Sequence, residues 1–131
     1  MDYMKTFEGI VKAQLERVER LKNEQDFTDY QSLERIVIGV IGGDGIGPAI
    51  TDQAKRVLEH LLKAEIQKGK VEINVIDGLT IENRAACGKA IPDDVLEEIK
   101  KCNVLLKGPT TTPRKGDKWA NVESANVAMR K

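Results

Sequence analysis

Phe7, Ile10, Val11, Leu15, Val18 and Leu21 recur at three- and four-residue intervals, with Glu16, Arg17, Glu19, Arg20 and Lys22 among them. That spacing predicts an amphipathic helix over residues 4–24. The helix is expected to pack on the body of the domain, with a subunit contact as the alternative. Residues 26–32 read as a polar linker. The pattern then changes. Ile36–Ile41 is a short, nearly continuous apolar run with β-branched residues, the mark of a strand buried on both faces in a parallel sheet. Val71–Ile76 and Asn103–Leu106 read as the second and third strands.

Between the strands the period is helical. Glycines at 42, 43, 45 and 47 predict a tight turn, and Pro48 suits the first turn of a helix. That helix is expected to run to about Lys68, with Ile50, Ala54, Val57, Leu58, Leu61 and Leu62 as its apolar stripe. Residues 80–87 predict a short helix closed by Gly88. Ile91-Pro92-Asp93-Asp94 opens another, its acids near the positive end of the helix dipole and Val95, Leu96 and Ile99 facing inward. Strands alternating with helices predict an α/β fold, a partial parallel sheet with flanking helices joined by right-handed crossovers.

Composition adds mainly exclusions. A chain of 131 residues holds one domain at most. Its 21 Lys plus Arg balance 21 Asp plus Glu, which gives no electrostatic footprint for nucleic acid or an anionic membrane. No apolar run approaches the length of a membrane span. The start, MDYMKTFEGI, carries early acids and no apolar segment of the secretory kind. Cys87 and Cys102 lack further Cys or His at ligand spacing, so reduced, inert thiols in a cytoplasmic protein are expected. His60 beside Glu59 has no partner at useful spacing and reads as solvated.

Candidate chemistry gathers in Lys107–Arg130, KGPTTTPRKGDKWANVESANVAMR. A strand empties there into a polar loop that feeds a helix start, and open α/β sheets collect ligands outside the carboxyl ends of their strands. Lys107 supplies a point charge and Arg130 a planar fork for a carboxylate. Thr110, Thr111, Thr112 and Ser124 offer hydroxyls and Asn126 an amide. With Ser124 at the N-cap, Asn126 and Arg130 share a helical face, so the three are expected to converge on one carboxylated molecule. The same residues also suit an ordinary solvated helix start, and spacing alone leaves both readings open. The glycine turn invites a dinucleotide-binding comparison. It fails the G-x-G-x-x-G fingerprint at Pro48, although Asp77 follows the second strand where an acid could hold a ribose.

KGPTTTP followed by S-x-N-V-A-x-R resembles the isocitrate/isopropylmalate dehydrogenases, the metal-dependent β-decarboxylating dehydrogenases. GDGIGP at 43–48 resembles that family's first strand-to-helix turn. The likeness runs from about Ile36 to the last residue and is closest to the isocitrate branch. It divides the chain into residues 1–35, an added helix and linker, and 36–131, the N-terminal part of the family's large domain. Two departures stand out: Ala49 where the family commonly has Glu, and a longer loop after Pro113 carrying Arg114, Lys115, Lys118 and Trp119. That loop reads either as a basic lip for an anion or as a solvated loop with one packed tryptophan.

The resemblance implies that Ser124, Asn126, Arg130 and Lys107 bind isocitrate or a related 3-substituted malate. It implies that Thr111, Thr112 and Ile46 lie against NAD or NADP. The implied reaction oxidises a 2-hydroxy acid and then decarboxylates it, as in the tricarboxylic acid cycle, with Mg2+ or Mn2+ polarising the carbonyl. The family's catalytic Lys and Tyr and its metal-binding aspartates fall downstream of the matching region. The expectation is therefore an isocitrate dehydrogenase-like chain with no catalytic or metal residues of its own, inactive alone. It would be a truncated form or a piece that works with a complementing dehydrogenase chain or as a homodimer. A regulatory, non-catalytic subunit is the first alternative, and an independent nucleotide-binding module the second.

Overall fold

The computed structural model describes residues 2–24 and 28–130, and it divides into two compact units, Met1–Ser32 and Leu33–Lys131. The first holds helix α1, Tyr3–Asn23. The Asp2 side chain caps its first turn by accepting from the Lys5 amide, and Arg20 and Lys22 sit in the last turn, where the helix dipole favours cations. None of its residues is buried. Within this unit the apolar stripe is left exposed, with Phe7 and Leu15 each at 64%.

The second unit is the α/β body. Its elements run β1 (Ile36–Ile41), α2 (Gly47–Leu61), α3 (Lys63–Gln67), β2 (Val71–Val75), α4 (Ile81–Cys87), α5 (Asp93–Lys100), β3 (Val104–Lys107) and α6 (Ala125–Ala128). The strands form one parallel sheet in the order β2-β1-β3. Ile36 pairs with Val71 on one side, and Ile38 with Val104 on the other. The most continuously apolar strand is thus the central one. Helices connect all three, as the period changes in the sequence predict.

The main core lies around Ile41, Ile76, Leu79, Ile91, Val95 and Ala125, with Leu96, Ile99, Cys102 and Leu105 packed against it. The inward face read for α5 is therefore the observed one. Thr80 caps α4 through its hydroxyl, and Gly88 ends it in the left-handed conformation. The helix after β1 differs from expectation. It breaks at Leu62, whose backbone (φ −101°, ψ 15°) leaves the helical region, and α3 resumes at Lys63. Its stripe also divides. Ala54, Leu58 and Leu62 are half-buried, whereas Ile50, Val57 and Leu61 are exposed. Three strands make a face too narrow to cover a stripe that wide.

Candidate functional site

The two glycine-bearing motifs, some sixty residues apart in sequence, meet backbone to backbone. Gly108 donates its amide to the Ile41 carbonyl at 2.7 Å, and Asp44 donates to the Pro109 carbonyl at 2.8 Å. The approach is tight enough to exclude any side chain. A Cβ at Gly108 would stand 2.1 Å from the Gly42 carbonyl oxygen. One at Gly43, which also adopts φ +75°, would stand 2.1 Å from the Pro109 oxygen. The loops leaving the carboxyl ends of β1 and β3 thereby form one interlocked surface, where open α/β sheets place ligands.

Two side chains fasten further segments to it. Asp44 accepts from the Ile81 amide through Oδ1 and from the Thr111 amide through Oδ2, each at 2.7 Å. The glycine turn, the start of α4 and the threonine loop therefore share one carboxylate. Arg84 is 0% exposed and meets three carbonyls: Ala90 from Nε at 2.8 Å, Thr111 from Nη1 at 2.7 Å and Glu123 from Nη2 at 2.7 Å. Its fork ties Thr111 to the residue before Ser124, bringing the threonine loop beside the start of α6. Sequence reasoning passed over both residues. The available signals were an acid inside a glycine turn, and a single Arg followed by Ala85 and Ala86 in a short helix.

Lys107 turns its ammonium onto its own loop, donating to the Gly108 carbonyl at 2.8 Å and to Thr110 Oγ1 at 3.1 Å. Partial burial holds its pKa below the ordinary 10.5, and the Arg84 charge adds to this while Asp44 opposes it. Ser124 is the N-cap residue of α6, as the sequence predicts, and its hydroxyl makes no capping bond. The helix that follows is only four residues long. Asn126 lies inside it, and Arg130 lies beyond it, its amide bonding back to Val127 in a tightened turn. Ser124 is half-buried, and Asn126 and Arg130 are exposed.

Thr111 and Thr112 are exposed on the tethered loop, and Ile46 is 69% exposed on the adjoining turn. All three are open to solvent at the carboxyl end of the sheet. Among the described residues, no group of three His, Cys, Asp or Glu side chains could hold a metal ion. A recess of about 290 Å³ opens nearby between Gly42, Gly43, Asp52, Lys55 and Asp77, and none of the seven residues assigned above lines it. Beyond Pro113, Lys118 stands 4.6 Å over the half-buried Trp119 ring, and Arg114 donates its amide to Asp117 within a turn. No helix among the described residues is long and apolar enough to cross a membrane.

Similarity to known proteins follows the same stretch of chain. The Isocitrate/isopropylmalate dehydrogenase family matches residues 37–131. The homoisocitrate dehydrogenase of Methanocaldococcus jannaschii is 32% identical over 92 residues, which are 70% of this chain and 24% of that protein. The NADP isocitrate dehydrogenase of Thermus thermophilus is 36% identical over 98 residues, 74% of this chain and 18% of that protein. The crystal structure of a beta-decarboxylating dehydrogenase from Thermococcus kodakarensis superposes with a TM-score of 0.57 at 34% identity, covering 72% of this chain and 26% of that one. The chain thus spans no more than about a quarter of the length of these relatives. With its paired glycine and threonine motifs in one interlocked surface, it belongs to the isocitrate/isopropylmalate dehydrogenase family.

Proposed function

We propose that this chain supplies the substrate-facing and nicotinamide-facing segment of a metal-dependent, NAD- or NADP-linked oxidative decarboxylase of isocitrate. The observation that carries the reading is the tethering of Thr111 and of the residue before Ser124 to a single buried guanidinium. That tether brings the threonine loop beside the start of α6, and in this reading the threonine hydroxyls would face a cofactor while Ser124, Asn126 and Arg130 would face a hydroxy acid. Ser124 would hydrogen-bond a substrate oxygen, Asn126 would orient its neighbour, and Arg130 would pair with a carboxylate. Lys107 would hold the loop and lend it positive charge. A nicotinamide cofactor against Thr111, Thr112 and Ile46 would supply the two-electron oxidant. Groups that move protons or hold a metal are assigned to chain outside these residues.

The test has two arms. Isocitrate titrated into the isotope-labelled chain should shift the amides of Ser124, Asn126 and Arg130 together. Arg130→Ala should weaken that binding by about 30- to 160-fold, since a charge-assisted pair contributes roughly 2–3 kcal/mol. Unchanged affinity would remove Arg130 from the site. In the second arm, the purified chain with isocitrate, NAD or NADP and Mn2+ is expected to give no turnover, and turnover would place catalytic groups within it.

A second reading rests on the recess between the glycine turn and Asp77. A nucleotide ribose held there would make the chain a nucleotide-binding module. NAD binding lost on Asp77→Ala, with isocitrate without effect, would favour it over the first.

A further inference from the structure

Helix α1 exposes far more apolar surface than a solvated helix needs. Its large apolar and aromatic side chains are 40% to 77% exposed, and no residue of the helix is buried. Their placement is ordered. Met4, Phe7, Val11, Gln14, Val18 and Leu21 follow one another by alternating steps of three and four, the a and d positions of three successive heptads. Ile10 and Leu15 flank this seam and widen it.

We propose that α1 is a self-association helix that pairs antiparallel with α1 of a second copy of this chain. In that register Met4 faces Leu21, Phe7 faces Val18 and Val11 faces Gln14, and symmetry repeats each layer. The bulky Phe7 meets the smaller Val18 instead of another phenylalanine. The two Gln14 amides fall in adjacent layers, three residues or about 4.5 Å apart along the axis, where they can bond to each other. A polar pair inside an apolar seam fixes register and orientation.

Charge selects the direction. A parallel pair would set Arg17, at the position before one seam residue, beside Lys22 of the other copy, and would do so twice. The antiparallel pair separates these cations, sets Ile10 beside Arg17 and Glu8 beside Leu15, and aligns the helix dipoles favourably. A seam of 21 residues is about 31 Å long, so the contact is small and the association reversible. The surface lies outside the residues that match the dehydrogenase family.

Sedimentation equilibrium of the full chain tests the proposal. The apparent mass should rise from 14.5 kDa towards twice that value with concentration. Phe7→Glu and Val18→Lys should each hold the chain at its monomer mass, because each buries an unpaired charge in the seam. An equimolar mixture of the two variants should recover the dimer, since only the antiparallel register sets the new Glu against the new Lys. A monomeric wild type, or single variants that dimerise undiminished, would overturn the proposal. Variants that stay monomeric when mixed would overturn the antiparallel register. Circular dichroism of the mixture against its components reads helix recovery independently.

Discussion

The Asp44 carboxylate divides its two oxygens between the amides of Ile81 and Thr111, and the buried Arg84 spends its three bonds on carbonyls. Both are therefore positioning residues for the threonine loop. Asp44→Asn retains one acceptor and should cost about 1–3 kcal/mol in urea unfolding, with faster amide exchange at Thr111. Arg84→Lys keeps the charge but cannot reach three divergent carbonyls, so a loss of about 2–4 kcal/mol is expected. If Thr111 stays protected in both variants, the tether is not what holds the loop. Lys107 gives a pH prediction. Burial sets its folded-state pKa below the 10.5 of the unfolded chain. Between the two values the unfolded chain holds the extra proton, so stability should climb with pH in the interval just under 10.5. Cys102 pulls the other way from pH 9.0 upward, because burial raises its thiol and the unfolded chain loses that proton first. The contribution of Lys107 is thus the difference between wild type and Lys107→Gln in urea midpoints from pH 9.0 to 10.5. That difference should rise with pH; a flat line would mean that the ammonium is as solvated as any surface lysine.

At the scale of elements, the loops after β1 and β3 act as one unit because Gly42, Gly43 and Gly108 let their backbones touch. Gly108→Ala would drive a methyl group to 2.1 Å from a backbone oxygen that cannot yield without moving β1, and about 3 kcal/mol or more should be lost. Gly45→Ala is the control. Its φ of +60° is strained for alanine, but nothing lies within 4 Å, so a cost of about 1 kcal/mol is expected. Equal costs in thermal or urea unfolding would show that backbone conformation, and not the close approach, sets the glycine requirement. Period and punctuation made most elements legible in the sequence: three strands, the short helix closed by Gly88 and the acid-led start of α5 all stand where the pattern put them. The break at Leu62 was not legible, because no Pro or Gly marks it. The exposed Val57 and Leu61 were not legible either, because a periodic stripe shows which residues share a face and not how much sheet lies beneath it. The four-residue length of α6 was hidden for a similar reason, since its capping residue marks a start and nothing in the sequence marks so early a stop.

At the scale of the whole α/β body, a polar surface at the carboxyl ends of the strands was readable, because a polar loop following a buried strand has few other places to go. Its fastening was not, since the partners of Asp44 and Arg84 are backbone groups 37, 67, 27 and 39 positions away in sequence. Backbone acceptors carry no side-chain signature, and only the fold brings them within reach. The sheet sets a further condition. With the order β2-β1-β3, β1 alone among the described strands is bonded along both sides. Ile76 donates to Val40, so the alternation of a parallel strand turns the amides of Ile73 and Val75 away from β1. Val75 is also 51% exposed, whereas Val40 and Ile41 are among the most buried residues. Hydrogen exchange should follow this gradient, with Val40 and Ile41 at least about a hundredfold slower than Ile73 and Val75. The measurement belongs at concentrations on both sides of any self-association. If α1 carries the contact between copies, the Val75 amide exchanges fast in monomer and dimer alike. If its protection rises with concentration, strand edges are pairing instead, and the open flank of β2 is the interface.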